Sequence, residues 1–290
     1  FPTRRSSDLI YDSMSKILKN AKISYIKWDM NRSITEAFSN VLPSDRQGEV
    51  FHRYILGVYD LYERLNETFP QILFESCSSG GGRFDPGLLY YAPQGWASDD
   101  SDALERMKIQ YGTSLCYPIS SIGAHVSKCP NEQVYRNTPI ETRANVACFG
   151  TFGYELDLKC LTEEEREMVR KQVAFMKEYR EVLQFGTFYR LISPFESNYM
   201  SWMSVSEDKE IAVVGWYKVL NTVNGAYHRV KLSGLNPNTR YQINGTEIYR
   251  GDELMNIGLI TTDSSAGQCL DGDIPSCDFD SKLFVLKAVK

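Results

Sequence analysis

The sequence turns on Ile23-Ser24-Tyr25-Ile26-Lys27-Trp28-Asp29-Met30-Asn31-Arg32, a short apolar run that ends abruptly on a carboxylate. A run that closes on charged residues is how a parallel-barrel strand delivers a reactive group, although an Asp that merely caps a turn reads the same way. Alternate side chains of a strand share a face, so Lys27, Asp29 and Asn31 are expected on one side and Trp28 and Met30 on the other. The Lys27 ammonium is expected to hold Asp29 ionised, which suits a nucleophile better than a proton donor. Asn31 reads either as a substrate contact or as a turn side chain bonding its own backbone. Ser33, Ile34, Thr35 and Glu36 follow in a capping-box pattern that would open a helix.

The chain has 290 residues, 42% hydrophobic and 24% charged, enough apolar material for one large domain or two smaller ones and too much for a disordered chain. A net charge of −5, with no basic tract interleaved with aromatics, argues against a nucleic-acid partner. No apolar run of about 18 residues exists to span a membrane. Seven cysteines without a Cys-x-x-Cys pair fit neither a disulfide scaffold nor a zinc site, and read as free thiols in a reducing, cytoplasmic setting. Cys269 and Cys277, in a Gly- and Asp-rich loop, are close enough in sequence for a bridge, though two free thiols suit the rest of the chain better. No metal and no cofactor are expected. Residues 1–9 (Phe-Pro-Thr-Arg-Arg-Ser-Ser-Asp-Leu) resemble the translation of a sequencing adapter and are set aside; on that reading the natural N-terminus, with any targeting signal, lies upstream.

Residues 11–19 read as the end of a helix and 50–65 as an amphipathic helix with Phe51, Tyr54, Ile55, Val58, Leu61, Tyr62 and Leu65 in one stripe. Strands are expected at 71–77, 96–99, 114–121 and 151–158, with helices at 103–111 and 142–149 between them. Thr162 opens a long helix to about Phe185, with Glu165 completing its capping box. This alternation implies a parallel sheet wrapped by helices, in a barrel or an open sheet, with too few strands to close an eightfold barrel. From about Gly186 the pattern changes to short strands at 211–217, 229–232, 241–243 and 283–286, with Asn-Gly and Asn-Pro turns and no helical period. The organisation expected is an α/β part over 10–187 and an antiparallel β domain over 188–290.

Two further stretches carry chemistry. Glu75-Ser76-Cys77-Ser78-Ser79-Gly80-Gly81-Gly82-Arg83 is a glycine run directly after a strand, where backbone amides and Cys77 can approach a sugar hydroxyl. A tight βα turn is the plain alternative, and a phosphate loop lacks its Lys-Ser/Thr ending. Trp96-Ala97-Ser98-Asp99-Asp100-Ser101-Asp102 places three carboxylates at a strand end. Asp102 reads as a helix N-cap and Trp96 as a core residue on the opposite face. Asp99 and Asp100 are either turn residues or, since neighbouring carboxylates raise one another's pKa, the source of a general acid. His52 and His228 read as structural, as does His125, although His125 follows a strand and is the histidine nearest to a site role.

Lys-Trp-Asp-Met-Asn-Arg at 27–32, Cys-Ser-Ser-Gly-Gly-Gly-Arg-Phe-Asp at 77–85 and Ser-Asp-Asp-Ser-Asp-Ala at 98–103 together resemble the microbial α-galactosidases of glycoside hydrolase family thirty-six. The resemblance runs from about Ile10 to the C-terminus. It implies the C-terminal portion of a (β/α)8 TIM barrel, about strands 4 to 8, followed by an antiparallel β-sandwich. It implies retaining hydrolysis of terminal α-galactosides with Asp29 as nucleophile and Asp99 as acid/base, the carboxyls roughly 5–5.5 Å apart. Galactose contacts are implied for Lys27, Asn31, Cys77 and Gly80, and Trp28 joins them as a lesser contact from inside the same motif. The N-terminal β domain and first barrel strands of that family have no counterpart here, so a fragment inactive alone is expected. A raffinose-synthase-like transferase and a non-catalytic sugar-binding fragment are the alternatives. α-Galactoside oligosaccharides are the expected partners, and homo-oligomerisation is left open for the full-length enzyme.

Overall fold

The computed structural model describes residues 2–31, 34–222, 227–262 and 278–289. Ser33, Cys269 and Cys277 lie outside the described residues, so neither the capping box at Ser33 nor the bridge at Cys269 is addressed by it. The chain divides into two compact units, Phe1–Asp99 and Asp100–Lys290.

The first unit opens with helix α1 (Pro2–Asn20), which includes the residues set aside above, and continues with strand β1 (Tyr25–Asp29). Residues 34–39 are not helical; a 3-10 turn at Ser44–Glu49 leads instead into α2 (Val50–Thr68). Strand β2 (Leu73–Cys77), a short helix α3 (Pro86–Tyr91) and strand β3 (Gln94–Gly95) complete it. The strands pair in parallel in the order β1-β2-β3. Period-2 alternation sends Ile26, Trp28 and Phe74 to the helix side, where they pack with Leu61, Tyr62 and Leu65 of α2 and with Leu18 of α1. The strand expected at 96–99 is a correction: Trp96 N still donates to Ser76 O at 2.9 Å, but the backbone beyond it turns against the glycine loop and leaves β2.

In the second unit α4 (Ala103–Thr113) begins on Asp102, whose carboxylate accepts from the amides of Leu104 and Glu105 at 3.1 and 3.2 Å. The strand expected at 114–121 is also corrected. The amides of Leu115, Cys116 and Tyr117 close turns on Gly112 and Thr113, and Pro118 has no N–H to give a ladder. The strand is β4 (Gly123–Ser127), paired in parallel, after α5 (Ile140–Ala147), with β5 (Thr151–Glu155). Helix α6 (Glu163–Phe185) carries the full reciprocal capping box of Thr162 and Glu165.

The remainder is antiparallel: β6 (Thr187–Ile192), β7 (Tyr199–Val205), β8 (Ile211–Lys218), β9 (Arg229–Val230), β10 (Arg240–Ile243), β11 (Glu247–Arg250), β12 (Leu259–Ile260) and β13 (Asp280–Val289). A six-stranded sheet in the order β11-β10-β13-β8-β7-β6 forms its main layer, and β12 pairs with β9 in a second. Along β7 and β8, Met200, Trp202, Val213 and Tyr217 face helices α4 to α6, while Met203, Val205, Ala212, Val214 and Trp216 face Val230, Leu232 and Leu259. A short helix α7 (Gly251–Asn256) interrupts the region expected to lack helix, packing Leu254 into this second core.

Thr162→Ala removes one half of the capping box and is expected to lower stability by about 1 kcal/mol. Leu183→Ala, at a position with 0% exposure on the same helix, is expected to cost about 2–5 kcal/mol. Urea unfolding of the two variants measures both.

Candidate active site

Parallel pairing sets Lys27 opposite Glu75 and Asp29 opposite Cys77, and Glu75 opposite Gln94. Tyr25, Lys27, Asp29, Glu75 and Cys77 therefore share the face turned away from α2, with Asp29 and Cys77 at the C-terminal ends of β1 and β2. Trp28 occupies the other face, its ring centroid 4.7 Å from that of Tyr62 and 6.4 Å from that of Phe74. The sugar contact expected of Trp28 has no support in this position: it is packed behind the strand. Trp96 reverses its expectation in the opposite sense, since its ring lies 4.3 Å from Lys27 Nζ, on the side of the carboxylates.

Asp29 is exposed and lies at the very end of β1. Partial desolvation works to raise its pKa, but hydrogen bonds from the Asn31 amide, the Cys77 thiol and the Ser79 backbone N–H, with the charge of Lys27, outweigh it and hold the carboxyl below its ordinary value. The low pKa was expected from Lys27; that ammonium is the smallest of these influences. Lys27 Nζ is directed to Glu75 at 3.7 Å. Asn31 Nδ2 donates to Asp29 Oδ2 at 2.9 Å, while its Oδ1 accepts from Ser79 N at 2.8 Å. Asn31 is thus not a turn residue bonded to its own backbone; it ties the end of β1 to the glycine loop. The Cys77 thiol is pushed up to about 11, chiefly by burial and then by its bond to Asp29, with the Gly80 amide pulling the other way.

Several of the loop amides bond within the loop or to Asn31. Ser78 N donates to Gly80 O, Ser79 N to Asn31 and Gly82 N to Ser78 O. What the glycines supply is proximity: Gly80 has φ +75°, and a Cβ there would lie 2.8 Å from Ser98 Cα and Asp99 N, as one on Gly81 would lie 2.5 Å from Ala97 O. The loop is seated flat on residues 97–99 and sets where Asp99 begins. Asp29 so stands at the end of β1, while Asp99 follows the end of β3 in the segment that carries the glycine loop.

Asp100 takes a different part. Its carboxylate accepts from Asp102 N at 3.0 Å in the turn that opens α4, and it is an acidic neighbour of Arg106, a guanidinium only 2% exposed. Burial lowers the Arg106 pKa to about 10, opposed by the charges of Asp100 and Glu155. His125 Nδ1 lies 3.2 Å from Glu155 Oε2. His228 is stacked on Tyr199 at 4.1 Å with its pKa lowered by burial, and His52 is exposed on α2. Among the described residues no group of three or more His, Cys, Asp or Glu is placed to hold a metal ion, and no helix is long and apolar enough to cross a membrane.

The family model described as Melibiase matches residues 2–186. The chain belongs to the melibiase family. A second family model, the glycosyl hydrolase family 36 C-terminal domain, matches residues 199–286 of this melibiase chain. Alpha-galactosidase AgaA of Geobacillus stearothermophilus is 51% identical over 98% of the chain and 37% of its own length. Alpha-galactosidase Mel36A of Lactobacillus acidophilus is 48% identical over 97% of the chain and 37% of its own. Among solved structures, GH36 alpha-galactosidase AgaB from Geobacillus stearothermophilus is similar with a TM-score of 0.91 at 51% identity, covering 98% of the chain and 38% of that protein. The chain thus spans little more than a third of the length of these relatives. Its parallel strands β1 to β5 are the C-terminal portion of a (β/α)8 barrel, and the antiparallel layers after them are the β-sandwich expected from the sequence.

Asn31→Ala removes the strongest of the influences lowering the Asp29 pKa, so in this melibiase the midpoint of Asp29 is expected to move up. The carboxyl carbon-13 resonance of Asp29 followed against pH checks this. A midpoint that stayed put would show that Cys77 and Ser79 suffice.

Proposed function

We propose that the chain carries the two catalytic carboxylates of a retaining α-galactoside hydrolase, with Asp29 as nucleophile and Asp99 as acid/base. The observation that carries this reading is the environment of Asp29: hydrogen-bond donors keep it anionic at the C-terminal end of a parallel strand, where barrel enzymes place their chemistry. Asp99 is preferred to Asp100 because Asp100 is engaged with the α4 turn and faces the buried Arg106 charge. Asp29 would attack the anomeric carbon while the breaking glycosidic oxygen takes its proton from Asp99. Water would then give a proton to Asp99 and its oxygen to the anomeric carbon, releasing Asp29 with the configuration retained. Lys27, beside both Asp29 and Trp96, is the group we assign to a galactose hydroxyl.

Melibiose- and raffinose-type oligosaccharides are the substrates we propose, a choice supported by solved variants of Geobacillus stearothermophilus AgaA in complex with raffinose and with stachyose, each 50% identical to this chain. A transferase would differ only in the second step, a sugar hydroxyl replacing water. Partition of the glycosyl-enzyme between water and added sugar separates the two.

In the intact enzyme Asp29→Ala is expected to abolish turnover of natural and activated galactosides alike. Asp99→Ala is expected to retain the first step with an activated aryl galactoside and to recover turnover with azide. Equal loss of both steps without rescue would move the acid/base role to Asp100.

A polypeptide of residues 10–290 alone is expected to lack useful activity. Within the described residues β1 and β3 each pair on one side only, and catalysis depends on orienting the sugar to a fraction of an ångström. Assay of an aryl α-galactoside, with a check for cooperative thermal unfolding, tests this; turnover within about tenfold of a complete relative would refute it.

A further inference from the structure

Glu75 has no part in the chemistry above, yet it is a carboxylate with 0% exposure in the middle of β2, on the face that carries Asp29 and Cys77. Burying a carboxylate is costly unless it is paired and hydrogen-bonded. Its Oε2 accepts from the Tyr25 hydroxyl and from Gln94 Nε2, and its Oε1 lies 3.7 Å from Lys27 Nζ, an ion-pair distance too long for a hydrogen bond. Lys27, Glu75 and Gln94 are in register across three strands, one row below Asp29 and Cys77. Trp96 flanks the same ammonium, and the Lys27 side chain still keeps 30% of its surface open.

We propose that Glu75 is a positioning residue that acts through Lys27, drawing the ammonium down against Trp96 and balancing its charge so that Asp29 works beside a neutral pair. This rests on the hydrolase reading above and adds a residue to it. Two consequences follow from the geometry. Without Glu75 the ammonium turns to the next carboxylate on its own strand face, Asp29, and ties up the oxygen that must reach the anomeric carbon. An unbalanced cation also opposes the positive charge that grows on the sugar in an oxocarbenium-like transition state. Tyr25, Lys27 and Gln94 are among the groups around Glu75, and Asn31, Cys77, the Ser79 amide and Lys27 among those around Asp29.

The test is a double-mutant cycle of Glu75→Gln and Lys27→Met in the intact enzyme, read as kcat and KM for an aryl α-galactoside against pH. With Lys27 present, Glu75→Gln is expected to lower kcat/KM by about tenfold to a hundredfold and to move the acid limb to lower pH, because a bare ammonium favours the ionised Asp29 further. In the Lys27→Met background the ammonium through which Glu75 acts is gone, so Glu75→Gln is expected to add less than about twofold and to leave the limb in place. Equal factors in both backgrounds would overturn the proposal and mark Glu75 as a packing residue. Should Glu75→Gln fail to fold, Tyr25→Phe, which removes one donor to Glu75, enters the same cycle with the same criterion. Asp29→Ala measured alongside separates the two levels: turnover that survives it overturns the hydrolase reading and this proposal together, whereas a dead Asp29→Ala with equal Glu75→Gln factors overturns the role of Glu75 alone.

Discussion

The parallel register between β1 and β2 is the constraint on which the site depends. It sets Asp29 level with Cys77 and Lys27 level with Glu75, and Met30 N extends the ladder to Cys77 O at 3.1 Å. Because the side-chain period of a strand is two, a slip of one residue would send Asp29 and Lys27 into the helix-packed core and bring Trp28 out. Trp28, held among Tyr62 and Phe74, opposes that slip. The hydrophobic packing behind the strand and the charge pattern in front of it are in this sense one specification.

Around Asp29 the work is divided among neutral donors. Asn31, Cys77 and the Ser79 amide bond the carboxylate or its surroundings, with Cys77 placed by the strand register and Ser79 by the loop. The cation is kept one row lower, on Glu75 and Trp96. For the nucleophilic role proposed for Asp29, hydrogen bonds that can loosen as charge leaves the carboxylate suit bond formation better than a lock to an adjacent ammonium. The neighbouring aspartates divide in a comparable way, with Asp99 under the glycine loop and Asp100 bound into the start of α4.

Much of this was legible in the sequence wherever local rules agree with the fold. The strand ending on Asp29, the stripe of α2 and the Thr162 capping box are all local signals. The misreadings occurred where non-local contacts decide. Residues 114–121 are apolar enough for a strand, but Pro118 and the turns on Gly112 and Thr113 prevent one. The third parallel strand was placed too late because Trp96 follows it with one ladder bond and then turns away. Glu75 went unremarked because a carboxylate after Ile72-Leu73-Phe74 looks like a strand's solvent side. Its burial depends on Tyr25 and Gln94, which belong to other strands. The bonds made by the Ser78, Ser79 and Gly82 amides likewise appear only in three dimensions, since sequence shows where the glycines are and not what their neighbours bond.

Cys77 gives the site one more property. A thiol held at about 11 carries almost no thiolate at neutral pH, and it is 4% exposed. Alkylating agents and peroxide act on the thiolate, so the sulfur beside Asp29 is chemically quiet, whereas Cys116, Cys129 and Cys160 are exposed free thiols. The sulfur beside Asp29 is thus shielded from oxidation both by burial and by its proton.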